Sequence, residues 1–340
     1  MTEPGVLWLP DRLEIRVQLE HKEGEAGWAA ALPAGGNPAE QVKDLMGGGA
    51  MKPAPFAYHV PSALTEALAV LDELGEEGRV LAGGQSLVPL MNFRLAQPTH
   101  LVDINRLDEL DYIRRDDGVL AIGARARQSA LERSQEARGA VPLLVEAVAQ
   151  VAHPPIRHRG TVCGSVAHAD PAAELPAALL ALDAEVVASS RQGERRVPIH
   201  EFISGPFTTT LVPGELVREV RVPVSGAGSG YAFAELSPRH GDFAVSGAAV
   251  LLQLEGGQVE RASVALCGVA GMPVRAAGAE QSLRGARGSE EELDAAAAAA
   301  VEGLTPSADL HGGSDYRRRI ARVCVRRALN LAFSRARGGA

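Results

Sequence analysis

From Pro53 onward the apolar positions alternate between helical and strand periods. Leu64, Leu68, Leu71 and Leu74 recur at helical spacing, with Ser62 before them as a cap and Gly75 after them as a stop, which predicts a helix over Ala63–Leu74. The short runs Val80-Leu81 and Leu101–Ile104 read as buried strands, so this part forms a small α/β unit. Between them lie the glycine turn Ala82-Gly83-Gly84-Gln85-Ser86 and a helical-looking run, Leu87–Arg94. Leu110–Arg115 and Val119–Ala124 flank Asp116-Asp117-Gly118 as a hairpin. A helix is predicted near Val141–Val151, whereas the prolines of His153–Gly160 predict an ordered loop. A second glycine-containing loop, Thr161–Ser165, leads through an acidic stretch to a helix over Glu174–Leu182 and strands at Glu185–Ala188 and Glu219–Val222.

Gly226–Gly230 is the best linker candidate. Beyond it, strands are predicted at Tyr231–Leu236, Ala244–Leu254 and Ala262–Val269, with Gly256-Gly257 as a turn. Helices follow at Ala279–Leu283, Glu290–Val301 and Tyr316–Ala336, so this part is an α+β layer of one sheet backed by helices. Residues 1–50 differ: Leu13, Ile15, Val17 and Leu19 alternate as in a lone strand, the rest is rich in Gly, Pro and Glu, and the segment is expected to be disordered. The glycines before Met51 fit either a purine-rich ribosome-binding sequence read in frame, with Met51 as the start, or a flexible extension.

Composition narrows the class. A chain of 340 residues exceeds one ordinary core and implies more than one domain. Its 34 basic against 42 acidic residues give a net charge of −8, which argues against a general nucleic-acid or anionic-membrane binder. The three cysteines, Cys163, Cys267 and Cys324, lie far apart, and without a Cys-x-x-Cys pair the chain does not supply the usual four-thiolate iron–sulfur site. Few cysteines and no leader-like segment point to a cytoplasmic setting, and no run is long enough to span a membrane.

Familiar catalytic devices are absent: no Gly-x-Gly-x-x-Gly after a strand, no Walker A loop and no Gly-x-Ser-x-Gly elbow. No helical His-x-x-x-His pair with an acid occurs; His153, His158 and His168 cluster in sequence and are expected to position a loop or face a ligand, with a metal site as the alternative. What remains is the pair of glycine loops. Bare backbone N–H groups in such turns suit phosphates, and two loops can grip a diphosphate from opposite sides; the alternative for Ala82–Ser86 alone is an ordinary strand-to-helix turn. Asp170 and Glu174 follow the second loop, where a carboxylate accepts from sugar hydroxyls; the alternatives are a helix N-terminal charge for Asp170 and an exposed first-turn acid for Glu174.

Two longer runs carry a resemblance. Ala82–Leu87 with Pro89, Arg94 and Pro98 ahead of Leu101–Ile104, and the unbroken stretch Ala152–Pro171, resemble the FAD loops of the flavoprotein subunits of molybdenum hydroxylases, the carbon monoxide dehydrogenase and xanthine dehydrogenase group. Arg239-His240-Gly241-Asp242-Phe243 resembles the segment of their C-terminal domain that approaches the flavin ring. The resemblance covers about Met51 to Arg335.

It implies an α+β chain: a PCMH-type FAD-binding domain of two α/β subdomains over 51–225, then a flavoprotein C-terminal domain over 230–336. Ala82, Gly83, Gly84, Gln85, Ser86 and Leu87 would form one FAD loop, and Thr161, Val162, Cys163, Gly164 and Ser165 the other. Asp170 and Glu174 would face ribityl or nearby hydroxyls, with Asp242 and Phe243 beside the ring. Cys163 departs from the usual glycine pair: either this position is not left-handed here, or the loop binds phosphate less closely. The implied role is electron transfer from a [2Fe-2S] small subunit, fed by a molybdenum-cofactor large subunit, through FAD to an external acceptor, in a dimer of heterotrimers. The alternatives are a self-contained FAD oxidoreductase and a scaffold without FAD.

Overall fold

The computed structural model describes residues 52–226 and 228–338, together with the backbone pairing of β1 (Leu7–Trp8) with β2 (Glu14–Ile15). The strand expected around Leu13–Leu19 therefore has a partner over Glu14–Ile15; the rest of 1–51, including Met51, lies outside the described residues.

The first layer is a three-stranded parallel sheet ordered β3 (Ala57–His59), β5 (His100–Asp103), β4 (Gly78–Leu81). Helix α1 (Leu64–Leu74) buries Ala67, Leu68 and Leu71 and stops at Gly75, which has φ +54°. Ala63 rather than Ser62 is its cap residue; Ser62 N–H and hydroxyl both donate to Glu66 Oε2, at 2.7 and 2.8 Å. Leu81 pairs with Asp103, so the chain leaves both strands at the same end of the sheet. There Ala82 enters the glycine turn that leads to α2 (Leu87–Asn92).

The second layer is antiparallel throughout, ordered β6 (Ile113–Asp116), β7 (Val119–Gly123), β12 (Leu216–Pro223), β8 (Glu185–Ser190) and β9 (Gly193–Pro198). Asp116 pairs with Val119, and the two residues between them, Asp117 and Gly118, both have positive φ, as a tight hairpin with right-handed strand twist requires. Helices α3 (Gln128–Arg133), α4 (Gln135–Ala140), α5 (Pro142–Gln150), α6 (Pro154–Arg159), α7 (Val162–His168) and α8 (Glu174–Ala181) lie between β7 and β8. A short α9 (Ile199–Phe202) and the pair β10 (Ile203–Gly205) and β11 (Thr208–Thr209) complete this part.

Two expectations are corrected here. His153–Gly160 is not a loop: Pro154 and Pro155 occupy the first turn of α6, where an N–H has no intrahelical acceptor and proline is tolerated. Thr161–Ser165 is likewise the capped start of α7: the Thr161 hydroxyl accepts from Gly164 N–H at 3.0 Å.

The third layer is an antiparallel sheet ordered β13 (Ser229–Leu236), β14 (Ser246–Glu255), β15 (Gln258–Cys267) and β16 (Val274–Arg275). Alternate residues serve opposite faces. Ala232, Val250, Val264 and Leu266 pack toward α10 (Ala277–Leu283), α11 (Glu290–Ala299) and the long α12 (Ser314–Ala336). Phe233, Ala249, Ala265 and Cys267 instead join the core of the second layer. The element they meet is α8, all eight of whose residues are buried between α5 and strands β14 and β15. A helix apolar all round marks an interior position.

Candidate functional site

The two glycine stretches meet. Gly83 is buried against the end of α6: a β-carbon there would overlap the Arg159 carbonyl oxygen and lie 2.7 Å from Gly160 Cα. Gly84, with φ +71°, turns the chain in a conformation that side chains resist. Among the described residues, the backbone N–H groups of Gly83, Gly84, Gln85 and Ser86 donate to nothing. Neither Ala82–Leu87 nor Arg159–Ser165 contains an acid. Free N–H donors in a glycine turn whose own residues carry no carboxylate fit a dinucleotide diphosphate, which accepts many hydrogen bonds and carries negative charge.

Cys163 settles one alternative. It is helical within α7, 2 % exposed, and its thiol points to the Ile122 carbonyl at 3.4 Å. The position is not left-handed, so the side chain costs the turn nothing. Burial, then the charge of Glu219, holds the thiol well above the ordinary cysteine range, which leaves it unreactive. Gly164 serves the cap: a β-carbon there would come 2.7 Å from Thr161 Oγ1. Val162 is buried beneath the turn.

A second set of residues, not anticipated from sequence, fixes the turns. Asn105 Nδ2 donates to the Ala82 carbonyl at 2.7 Å and to Asp103 Oδ1 at 2.5 Å. The Tyr58 hydroxyl donates to the other oxygen of Asp103. Arg127 donates to Asn105 Oδ1 at 2.6 Å through Nη2 and to the Arg159 carbonyl through Nη1. An isolated bridge joins Arg127 to Thr161, with Gln128 N–H on the Gly160 carbonyl at 2.9 Å. Helix α6 is pinned below by Arg157, 6 % exposed, whose guanidinium forks onto the Glu132 carboxylate at 2.9 and 3.0 Å. These contacts join residues far apart in sequence, and no local pattern announces them.

The candidate acids part ways. Asp170 Oδ1 caps the Ala172 N–H at 2.8 Å, while Oδ2 lies 4.0 Å from His168 Nε2. Burial lowers the His168 pKa, an effect Asp170 partly opposes, and the ring packs at a tilt of 45° against Phe207 with centroids 5.2 Å apart. Glu174 is not an exposed first-turn acid: it is 5 % exposed, at the junction of α8 with the third layer. Burial first, opposed by its own backbone N–H, pushes its carboxyl up to about 7. Glu235 on β13, in register with Gly247 and through it with Cys267, is pushed up to about 8 by burial and by Glu174.

Asp242 is exposed and Phe243 is 67 % exposed. Their segment is tied to the same site from the other side: Gly241, at φ +90°, lies so close to His153 that a β-carbon would sit 2.7 Å from its Nδ1. His153 immediately precedes α6, whose far end faces Gly83. His153 and His168 thus serve different contacts, and no group of three or more His, Cys, Asp or Glu among the described residues is placed to share a metal ion. No helix among the described residues is long and apolar enough to cross a membrane.

Residues 54–225 match the family model described as the FAD binding domain in molybdopterin dehydrogenase, and residues 231–332 match the CO dehydrogenase flavoprotein C-terminal domain. The chain is 47 % identical over 288 residues to the 6-hydroxypseudooxynicotine dehydrogenase complex subunit alpha of Paenarthrobacter nicotinovorans, covering 84 % of this chain and 97 % of that one. It is 39 % identical over 285 residues to the carbon monoxide dehydrogenase medium chain of Hydrogenophaga pseudoflava, covering 84 % of this chain and 99 % of that one. A solved structure of carbon monoxide dehydrogenase from the same organism, lacking the Mo-pyranopterin moiety of its cofactor, superposes with a TM-score of 0.81 at 41 % identity, over 83 % of this chain and 99 % of that one. Carrying both domains in this order on this fold, the chain belongs to the family of FAD-binding subunits of molybdopterin dehydrogenases.

Proposed function

We propose that this chain holds FAD between its two glycine turns and serves as the electron-transfer subunit of a molybdenum hydroxylase. The observation that carries the reading is the contact of Gly83 with Arg159 and Gly160, which brings four free N–H groups of one turn up to the other. Ala82–Leu87 would grip the diphosphate from one side and Thr161–Ser165 from the other, with Asp170 accepting from the ribityl or a nearby sugar. Asp242 and Phe243 would stand beside the ring. Glu174 is better read as a buried acid of the layer junction, given its exposure and its neighbour Glu235. FAD bound there supplies electron exchange between a partner's clusters and an external acceptor.

The chain itself would bind, orient and shield the cofactor. Its three cysteines are all buried and separate, so iron–sulfur clusters would sit on another chain, a [2Fe-2S] small subunit, alongside a molybdenum-cofactor large subunit. A dimer of such heterotrimers in the cytoplasm is the assembly this reading implies. The matched ranges, 54–225 and 231–332, support a division of the chain near 226–230.

The test uses the purified full chain. It is expected to carry one FAD that dithionite reduces and that candidate organic substrates or carbon monoxide leave oxidised. Adding the two partner subunits is expected to make the same flavin bleach on substrate addition. Rapid bleaching of the isolated chain by substrate would mean a self-contained oxidoreductase, and a folded chain that takes up no flavin would mean a scaffold.

A further inference from the structure

Arg127 ends the segment that follows β7, and its guanidinium touches both turns at once. One arm donates to the carbonyl of Arg159, the same oxygen against which Gly83 is pressed. The other donates to Asn105 at 2.6 Å, and Asn105 holds the carbonyl of Ala82 at 2.7 Å. Its backbone bridges Thr161. No other side chain among the described residues ties the entry of the first turn to the entry of the second.

The hydrogen-bond partners of Arg127 are neutral, a carbonyl and an amide, and among the described residues no carboxylate is in direct ion-pair contact with it. Burial, then the neighbouring Arg159 and Arg125, lowers its pKa, so a positive charge is held there at some cost. A structural fork serving only the fold is ordinarily matched to a carboxylate, as Arg157 is matched to Glu132 in the same unit. At Arg127 the charge is offset only at a distance, by Asp111 and Asp103, with no direct carboxylate partner, next to two turns that carry free N–H donors.

We propose that Arg127 is a positioning residue that sets the separation of the two turns for a dinucleotide diphosphate and contributes the charge facing it. This rests on the reading of the turns as an FAD site. A fork with two arms is required, because one donor cannot reach Arg159 and Asn105 together. A ligand with a single phosphate does not need both turns held at one spacing.

The experiment removes FAD from the purified full chain and titrates it back, following flavin fluorescence, for wild type, Arg127→Met and Arg127→Lys, with FMN as the comparison. Arg127→Met is expected to weaken FAD binding by about tenfold or more, while FMN changes by less than about threefold. Arg127→Lys, which keeps the charge and one donor, is expected to fall between. Loss of FAD and FMN in equal measure, or FAD affinity within about threefold of wild type in Arg127→Met, would overturn the proposal. Should Arg127→Met fail to fold, the FAD-to-FMN ratio of Arg127→Lys decides by the same criterion. Wild type that takes up no FAD would instead remove the underlying site reading, and the proposal with it.

Discussion

Gly83 and Arg159 are in backbone contact across the site: where any other residue would carry a β-carbon, Gly83 admits the Arg159 carbonyl. The obstacle is main chain on both sides, which cannot rotate away. Gly83→Ala is therefore expected to push the turns apart, at a cost on the order of 1–3 kcal/mol of the kind overpacking imposes. Flavin content per chain and the melting temperature should fall together. A variant with full flavin content would show that the contact is not needed for binding.

Gly84 is a different case, limited by dihedral angle rather than by space. Its φ of +71° puts an L side chain in the left-handed region, at about 1–2 kcal/mol, and a branched side chain would also crowd Val88 and Leu81. Gly84→Val is expected to give folded protein depleted of FAD. The check is the ratio of flavin to protein absorbance alongside the circular dichroism spectrum.

Cys163→Gly should not tighten the site, because the position is helical and not left-handed. The residue lies inside a helix with its thiol packed against Ile122. Removing it adds glycine to a helix, about 1 kcal/mol, and leaves a small void. A lower melting temperature with unchanged flavin content is expected. All three thiols are buried, so a disulfide reagent should find none until the chain is unfolded.

Glu174 and Glu235 give the chain a pH dependence. Unfolded, both carboxyls titrate near 4.5; folded, they hold protons to about 7 and 8. Between these values the folded state binds more protons than the unfolded state, so stability falls as pH rises through that window. Glu174 faces Asp170 and Glu235, and Cys267 lies beside both acids, so the charges that act on them among the described residues oppose their ionisation. The melting temperature is expected to be several degrees lower at pH 8.5 than at pH 6, and Glu235→Gln should flatten the upper part of that slope. A flat profile for wild type would show that these acids are hydrated.

Strand positions and glycine turns were legible in sequence because both signals are local. The Asp117-Gly118 hairpin, the Gly256-Gly257 turn and the strands of the third layer needed only alternation and residues that accept positive φ. Helix α6 was hidden because Pro154 and Pro155 break a helix anywhere except its first turn, and sequence alone did not say where the turn began. Strand β9, Gly-Glu-Arg-Arg-Val-Pro, lies at a sheet edge and is largely polar, so it shows no apolar alternation. In the site, the turns were readable by composition. Arg127, Asn105, Asp103 and Tyr58 were not, because each matters only through a partner brought near by folding.

The burial of α8 on every side bears on how the protein is made. Synthesis runs from the N-terminus, so α8, with β6 and β7 before it, leaves the ribosome while β14 and β15 are still untranslated. Until those strands arrive, the nascent first domain presents an uncovered apolar flank, and the chain passes through a stage at which it is open to wrong associations or to a chaperone. A chain terminated after residue 226 would be caught at that stage permanently. The C-terminal sheet thus acts as the lid that ends a vulnerable interval in biosynthesis.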